Sequence, residues 1–259
     1  MSIDRNPPPS NRQLLILLGL FVGFVLGVIG LIGWFINGLV GFIPPQVEQK
    51  LGAIIVPAYE RLAENSDTQQ SLDRLLDRLE THLPPEQKEG RNYRLLLLPE
   101  STVNAMALPG DAIILYAGLV DRAESENEVA MVLGHELGHF AHRDHLRSLG
   151  RILLLRMAIA SIFGDAGTWG SIAGSVVESV SRSRYSQSQE LAADKFGLDL
   201  LQKTYGHVGG ATEFFERMSR KVGVDFAFLS THPDPGDRVA KLKAIIQERG
   251  YPIRSIKPL

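Results

Sequence analysis

The sequence predicts an α+β protein that is mostly helical, with a small antiparallel sheet, preceded by an N-terminal transmembrane helix. Three features lead to this fold class. Residues 13–47 carry no Asp, Glu, Lys or Arg. Three short apolar segments between residues 93 and 116 are separated by polar and turn-forming residues, as strands are. Several later segments repeat apolar residues every three or four positions, which is the period of an amphipathic helix.

The composition excludes several function classes. The 259 residues include 27 basic and 29 acidic side chains, so the formal net charge is -2. A general nucleic-acid binder needs a basic surface, so we expect no nucleic-acid partner. The chain has no cysteine, which excludes a disulfide scaffold, a cysteine nucleophile and a thiolate metal site. A hydrophobic content of 44% excludes a largely disordered chain.

The uncharged N-terminal run predicts a retained membrane anchor over residues 13–43. It is longer than the about 20 residues that cross a bilayer, and Pro44 and Pro45 end it. The alternative is a cleaved signal peptide, whose apolar region is only about 7–15 residues long and precedes a small-residue cleavage site. Arg12 lies at the start of the run, so the positive-inside rule predicts that the rest of the chain is extracytoplasmic.

The remaining chain divides into three parts. Residues 1–12, with three consecutive prolines, are expected to be disordered. Residues 44–66 are predicted to be a linker, because Pro57 interrupts a short apolar stretch. Residues 67–259 form the predicted globular domain, which begins with an amphipathic helix over residues 72–83.

Three strands and five further helices follow in this domain. The predicted strands are residues 93–98, 101–107 and 112–116. The next helix starts at a capping box of Ser125 and Glu128 and runs to about His142. The later helices are predicted at residues 146–163, 187–204, 209–221 and 235–249. The apolar stretch 152–163 is too short to span a bilayer, and it fits either a core helix or, with Trp169, an interfacial hairpin.

His135, Glu136 and His139 form an H-E-x-x-H motif inside a predicted helix. A spacing of four puts both histidines on one face, one turn apart, where two imidazoles can bind one zinc ion. Glu136 is then available as general base toward a zinc-bound water. The alternative is a surface helix that carries these residues by chance, but the capped helix start and the apolar face favour the motif.

A catalytic zinc needs a third protein ligand, and two residues are candidates. His145 stands six residues after His139, at the offset of a longer motif that needs glycine where this chain has His142. Glu190 lies one turn before Asp194 on another predicted helix, so it could complete a His₂Glu site while Asp194 orients a ligand. The alternative for these two carboxylates is an ordinary solvated acidic face.

Five separated motifs, in this order, resemble the M48 family of membrane-associated zinc metalloproteases. They are Asn104–Gly110, Gly118–Val120, Val129–His145, Glu190–Asp194, and Ser230–Pro233 with Arg238. The resemblance departs from the family pattern at Asp111, where a second glycine is common. It implies a zincin-like metalloprotease domain within residues 67–259.

The resemblance also implies roles for individual residues. One zinc ion per chain would be bound by His135, His139 and Glu190, with Glu136 as general base. Asp194 would support a ligand histidine from behind.

Two residues of the last motif complete the implied site. His232 would lie at the open coordination position, where it either stabilises the oxyanion or masks the metal, and Arg238 would support the same region. His145 also fits the family's pattern after the zinc helix, which counts against it as a ligand.

The second predicted strand is a candidate substrate-binding edge, since an extended polypeptide could add to it by backbone pairing. The alternative is an ordinary half-buried strand. The residues concerned are Val103, Asn104, Ala105, Met106 and Ala107.

These features predict a membrane-anchored, zinc-dependent endopeptidase that cleaves misfolded or membrane-proximal polypeptides. Its expected partners are polypeptide substrates and, through the N-terminal helix, membrane lipid. One alternative is a zinc-bound, chaperone-like or assembly factor that does not cleave because His232 masks the metal. Another is a structural protein with a chance motif, for which Glu190 would lie far from both histidines.

Overall fold

A computed structural model describes residues 9–163, 185–220, 231–232 and 235–258. The chain divides into two compact units, Met1–Phe42 and Ile43–Leu259, and each is described by itself. Helices dominate the described residues, and three strands form one small sheet. The predicted α+β, mostly helical class is therefore confirmed.

Helix α1, Asn11–Val40, makes up most of the first unit. Ser10 and Gln13 cap it, because the Gln13 N–H donates to the serine hydroxyl (3.4 Å) and the Ser10 N–H donates to the glutamine side chain (2.8 Å). Thirty residues give a length of about 45 Å, which exceeds the about 30 Å hydrocarbon core of a bilayer. Within the described residues α1 alone is long and apolar enough to cross a membrane, so it is a candidate transmembrane helix.

The sheet has the strand order β1-β3-β2, with β1 Arg94–Leu98, β2 Ala105–Leu108 and β3 Ala112–Tyr116. β2 and β3 form an antiparallel hairpin, whereas β1 runs parallel to β3. The sheet is thus mixed rather than wholly antiparallel. The reason is that residues 99–104 carry the chain from one edge of the sheet to the other, instead of turning β2 back against β1.

Residues 44–66, predicted to be a linker, contain the helices α2 (Pro45–Ile55) and α3 (Pro57–Glu60). Each begins with proline in the first turn, where the missing N–H leaves no helical bond unmade. Pro57, which suggested a linker, therefore starts a helix. Side chains of this segment are buried beside the sheet, namely Ile55, Val56 and Tyr59.

The other described helices follow the predicted pattern to within a few residues, apart from one short helix, Ala117–Val120, which was not predicted. They are α4 Asp67–Thr81, α5 Ala117–Val120, α6 Glu126–Ala141, α7 Asp144–Phe163, α8 Gln187–Tyr205, α9 Glu213–Arg220 and α10 Pro235–Arg249. Gly206 ends α8 in the left-handed conformation, with φ of 71°. Residues 152–163 belong to α7, and Trp169 of the alternative interfacial hairpin lies outside the described residues.

Helices α6 and α8 pack against each other at very short distance. A Cβ atom added to Gly134 would lie 2.9 Å from the Gly197 Cα, and one added to Gly138 would lie 2.8 Å from the Ala193 Cα. No larger side chain fits at these crossings without moving a backbone. The small residues therefore bring the two helices close enough for their polar side chains to meet.

Candidate metal centre

Helix α6 carries both histidines of the H-E-x-x-H motif. Ser125 starts the helix by accepting the Glu128 N–H (3.2 Å), as the capping box predicted. His135 and His139 then lie one turn apart on one face, fully buried, with their Nε2 atoms 3.1 Å apart. Both rings therefore present the same nitrogen to one point inside the protein.

Helix α8 brings a carboxylate to that point. Ser186 and Gln189 cap the helix, and Glu190 lies in its first turn, fully buried. Its Oε1 atom is 3.5 Å from His139 Nε2, and its Oε2 atom is 3.7 Å from His135 Nε2. Of the two candidate third ligands, Glu190 is thus the one that joins the histidine pair.

The other candidate, His145, faces away from this point. It lies in the first turn of α7, with Nε2 2.6 Å from Glu48 Oε1 and Nδ1 3.3 Å from the backbone oxygen of His139. Its two ring nitrogens are therefore occupied elsewhere.

His232 completes the cluster. Its Nδ1 atom lies 3.1 Å from His135 Nε2 and 3.0 Å from Glu190 Oε1. One ligand atom from each of His135, His139, Glu190 and His232 falls within 4.8 Å of the others, which makes a possible metal site. Ligand atoms at about 2.0–2.1 Å from a tetrahedral zinc are separated by about 3.3 Å, so the observed spacing fits such an ion.

Carboxylates on the outer side of each histidine fix the ring orientation. His135 Nδ1 lies 2.9 Å from Asp194 Oδ1, and His139 Nδ1 lies 3.1 Å from Asp144 Oδ2. Each imidazole can therefore donate its Nδ1 proton outward and keep Nε2 free for a metal. Sequence analysis found Asp194 and missed Asp144, although its position five residues after the second histidine, at a helix start, was a usable signal.

Arg238, on α10, joins two of the acidic residues of α8, Glu190 and Asp194. It donates to Asp194 through Nε (2.8 Å) and Nη2 (2.6 Å), and its Nη1 lies 2.7 Å from Glu190 Oε2. All three side chains are buried. Arg238 thus fixes Glu190 and Asp194 relative to each other.

Tyr185 is a second residue that sequence analysis missed. Its ring stacks on His139 with centroids 3.9 Å apart and planes 20° apart. Its N–H donates to the Thr231 carbonyl (3.3 Å), next to His232 in the chain. No motif marks this tyrosine, which packs against the site only because of the tertiary fold.

Burial and neighbouring charges shift the pKa values of the candidate ligands. Burial raises the pKa of Glu190, but His232 and His135 outweigh burial and hold that pKa well below its usual range. Burial lowers the pKa of His139, yet Asp144 and Glu190 raise it to about 9. Burial also lowers the pKa of His135. A metal-free site would therefore hold a proton on His139, and a divalent cation would replace that proton.

Glu136 lies beside the four-residue cluster. It is fully buried, and neither of its carboxylate oxygens receives a hydrogen bond from the described residues. Its Oε1 atom is 3.7 Å from His232 Nε2. A buried carboxylate without a donor is costly, which indicates that a ligand or water supplies the missing hydrogen bond.

The candidate substrate residues form an edge of the sheet near this cluster. Asn104 exchanges backbone bonds with β3, since the Tyr116 N–H donates to its carbonyl (3.1 Å). In an antiparallel pair the backbone groups of the alternate residues, Ala105 and Ala107, then face away from β3, at the outer edge of the described sheet. The Ala105 N–H is occupied by the Asn104 side chain (3.0 Å). Val103, Ala105, Met106 and Ala107 are all buried, so this edge is covered in the structure.

The opposite edge of the sheet is covered. The side-chain amide of Gln69 accepts from the Leu97 N–H (2.7 Å) and donates to the Leu95 carbonyl (3.0 Å). These are the bonds that another strand would make to β1.

A small mixed sheet on a helical domain, with buried His and Glu side chains grouped on two helices, forms the candidate metal centre. Residues 63–246 match Peptidase family M48, and the chain belongs to this family.

Several curated relatives carry protease names. Metalloprotease LoiP of Escherichia coli (strain K12) is 32% identical over 158 residues, covering 59% of this chain and 61% of the relative. The Putative beta-barrel assembly-enhancing protease of Vibrio cholerae is 28% identical over 233 residues, covering 82% and 46%. Mitochondrial metalloendopeptidase OMA1 of Arabidopsis thaliana is 30% identical over 165 residues, covering 63% and 33%. The chain thus spans less than two thirds of the length of each.

Proposed function

We propose that this protein is a membrane-anchored zinc endopeptidase. The observation that carries the proposal is the convergence of His135, His139 and Glu190 on one buried point, with the unsatisfied carboxylate of Glu136 beside it. Three ligands and an adjacent base are what hydrolysis by a zinc enzyme requires. In this proposal residues 13–43 anchor the peptidase domain of residues 67–259.

The chain's own residues have separable tasks in peptide hydrolysis. When bound, zinc would act as a Lewis acid toward the scissile carbonyl and increase the acidity of a water. Glu136 accepts the proton of the attacking water and returns a proton to the leaving amine. Asp194 and Asp144 hold the two histidines in the tautomer that leaves Nε2 unprotonated. Arg238 keeps Glu190 and Asp194 aligned and ionised.

His232 controls access to the metal in this proposal. With its Nδ1 among the ligand atoms, four side chains would fill a tetrahedral site. Catalysis needs an open position, so the arrangement fits a resting state in which His232 masks the metal. In the active state His232 would move aside and donate a hydrogen bond to the oxyanion of the tetrahedral intermediate.

Substrate pairing is proposed at the β2 edge, where the backbone groups of Ala105 and Ala107 face away from β3; both residues are buried, so a substrate must first uncover this edge. An extended polypeptide that adds here is read mainly through its backbone, so selectivity is broad. Pairing at β1 is excluded by the Gln69 side chain. A substrate strand must displace the Asn104 side chain from the Ala105 N–H.

The apolar helix restricts which polypeptides reach the site. A tether of this kind favours misfolded or membrane-proximal chains, and Arg12 before α1 favours an extracytoplasmic peptidase domain. The name of the Vibrio cholerae relative refers to β-barrel assembly, so β-barrel membrane proteins are the first substrates to test.

One observation favours a second function. His232 within the ligand set is also what a permanently masked, non-cleaving assembly factor would have.

Casein cleavage by the full chain in detergent with added zinc separates the two functions. We expect chelator-sensitive cleavage that Glu136→Gln abolishes and that the exposed-residue control Glu60→Gln leaves intact. A folded, zinc-loaded chain that binds unfolded protein but cleaves none would contradict the peptidase and support the assembly factor.

A further inference from the structure

A second group of buried charges lies next to the metal centre but outside it. We call Glu48, Arg91, Asp111 and His145 the corner cluster. Arg91 binds both oxygens of Glu48 (3.1 and 3.0 Å) and one oxygen of Asp111 (2.6 Å). Glu48 also lies 2.6 Å from His145 Nε2. All four side chains are at most 3% exposed.

Burying the charged side chains of the corner cluster costs desolvation free energy, which indicates a role other than packing. Replacing buried ion pairs by apolar groups often leaves stability unchanged or raises it. Burial raises the pKa of Glu48, but His145 and Arg91 outweigh burial and bring it down to about 2, so this carboxylate is charged. Glu48 lies on α2, the first helix after α1 in the chain.

The corner cluster reaches the metal site through the first turn of α7. Asp144 and His145 are neighbours there, and both touch His139. Asp144 Oδ2 lies 3.1 Å from His139 Nδ1, and His145 Nδ1 lies 3.3 Å from the His139 backbone oxygen. The position of this turn therefore sets the position of one candidate ligand.

A second contact fixes the connection between α6 and α7. Arg143, between α6 and α7, has a φ of 55°, a conformation that non-glycine residues rarely adopt. Its side chain donates to the backbone carbonyl of Ile43. Residues 43–48 thus bind this connection at two points, Arg143 and His145, which lie on either side of Asp144.

We propose that Glu48 is a positioning residue for the metal centre, which acts through His145 on His139. This inference rests on the proposed zinc site. Its consequence is that the segment following the apolar helix is coupled to the metal, so displacement of α2 changes metal binding and turnover.

The test compares Glu48→Gln with Glu60→Gln in the full chain in detergent. Both substitutions remove one carboxylate, from α2 and from the exposed Glu60–Arg94 pair on α3. We measure the zinc dissociation constant by chelator competition, the visible spectrum of the cobalt-substituted protein, and kcat and KM separately. Partners of metal ligands typically contribute about 10–100-fold to metal affinity. We therefore expect Glu48→Gln to weaken zinc binding at least tenfold, shift the cobalt bands and lower kcat, with Glu60→Gln unchanged.

A double-mutant comparison tests the route. If Glu48 acts through His145, Glu48→Gln combined with His145→Gln weakens zinc binding no more than the stronger single variant. Additive losses contradict that route. Should Glu48→Gln not fold, His145→Gln leaves the Glu48–Arg91 pair in place and gives the same readouts.

Two further outcomes separate this inference from the proposed function. If Glu48→Gln lowers the melting temperature but keeps the parent zinc affinity and cobalt spectrum, Glu48 has only a packing role and the inference is wrong. A parent chain that binds no zinc contradicts the proposed function, and the inference with it.

Discussion

Replacing Asp194 with asparagine removes one negative charge from the buried support of the metal site. Asp194 accepts from Arg238 at 2.8 and 2.6 Å and lies 2.9 Å from His135 Nδ1. Burial raises the pKa of Asp194, but Arg238 and His135 outweigh burial and lower it to about 2, so this carboxylate is charged. The variant leaves the Arg238 guanidinium buried with Glu190 as its remaining acidic partner in the described site.

We expect a large loss of stability and of zinc affinity, because Arg238 stays charged and buried after Asp194 is neutralised. Breaking such pairs costs about 3–5 kcal/mol. Loss of a ligand's outer partner weakens metal binding about 10–100-fold. Arg238 would also pair more strongly with Glu190, and this pairing would reduce the ability of Glu190 to bind a cation.

The assay is urea unfolding of the metal-free chain in detergent, followed by circular dichroism, together with zinc competition. Asp199→Asn is the matched control, because Asp199 lies on the same helix in an exposed pair with Arg249. Exposed pairs contribute about 0–1 kcal/mol. A loss below about 1 kcal/mol for Asp194→Asn, with unchanged zinc affinity, would refute the reasoning.

Four further predictions follow from the site geometry. Glu136→Gln should lower kcat by about 10²–10⁴-fold without loss of bound zinc; metal analysis beside a casein assay checks this, and unchanged turnover rules out Glu136 as base. Because the pKa of His139 is raised to about 9, protons compete for this ligand, so zinc affinity should fall as the pH drops from about 9 to 6. For the same reason the metal-free chain should lose stability as the pH rises through about 9, and a pH-independent melting temperature would contradict this assignment. Gly134→Ala adds a Cβ 2.9 Å from the Gly197 Cα, which should cost about 1–3 kcal/mol and weaken zinc binding by separating α6 from α8, whereas the same change at the open position Gly236 should do neither.

Local patterns in the sequence predicted the elements that carry the site. The capping box at Ser125 and the four-residue spacing of His135 and His139 depend only on neighbours within a helix. Glu190 was one of two possible third ligands until the fold brought α8 against α6. That choice depends on glycine contacts between helices, which no periodicity reveals.

Contacts between distant segments could not be predicted in the same way. Tyr185 touches His139 without belonging to a recognisable motif, and Asp144 lies within the motif Val129–His145 but was given no role there. Residues 44–66 were predicted to be a linker because Pro57 interrupts the apolar stretch, yet Pro45 and Pro57 each begin a helix, and side chains of this segment pack beside the sheet. The parallel pairing of β1 with β3 likewise depends on where residues 99–104 run, which strand patterns leave open.

The central claim is that one carboxylate from α8 and two imidazoles from α6 bind the same zinc ion. Zinc content of the purified full chain and of Glu190→Ala tests it most directly, with Glu60→Ala as an exposed control. We expect about one zinc per chain in the parent and the control, and markedly less in Glu190→Ala. Equal zinc content and equal affinity in Glu190→Ala would contradict it.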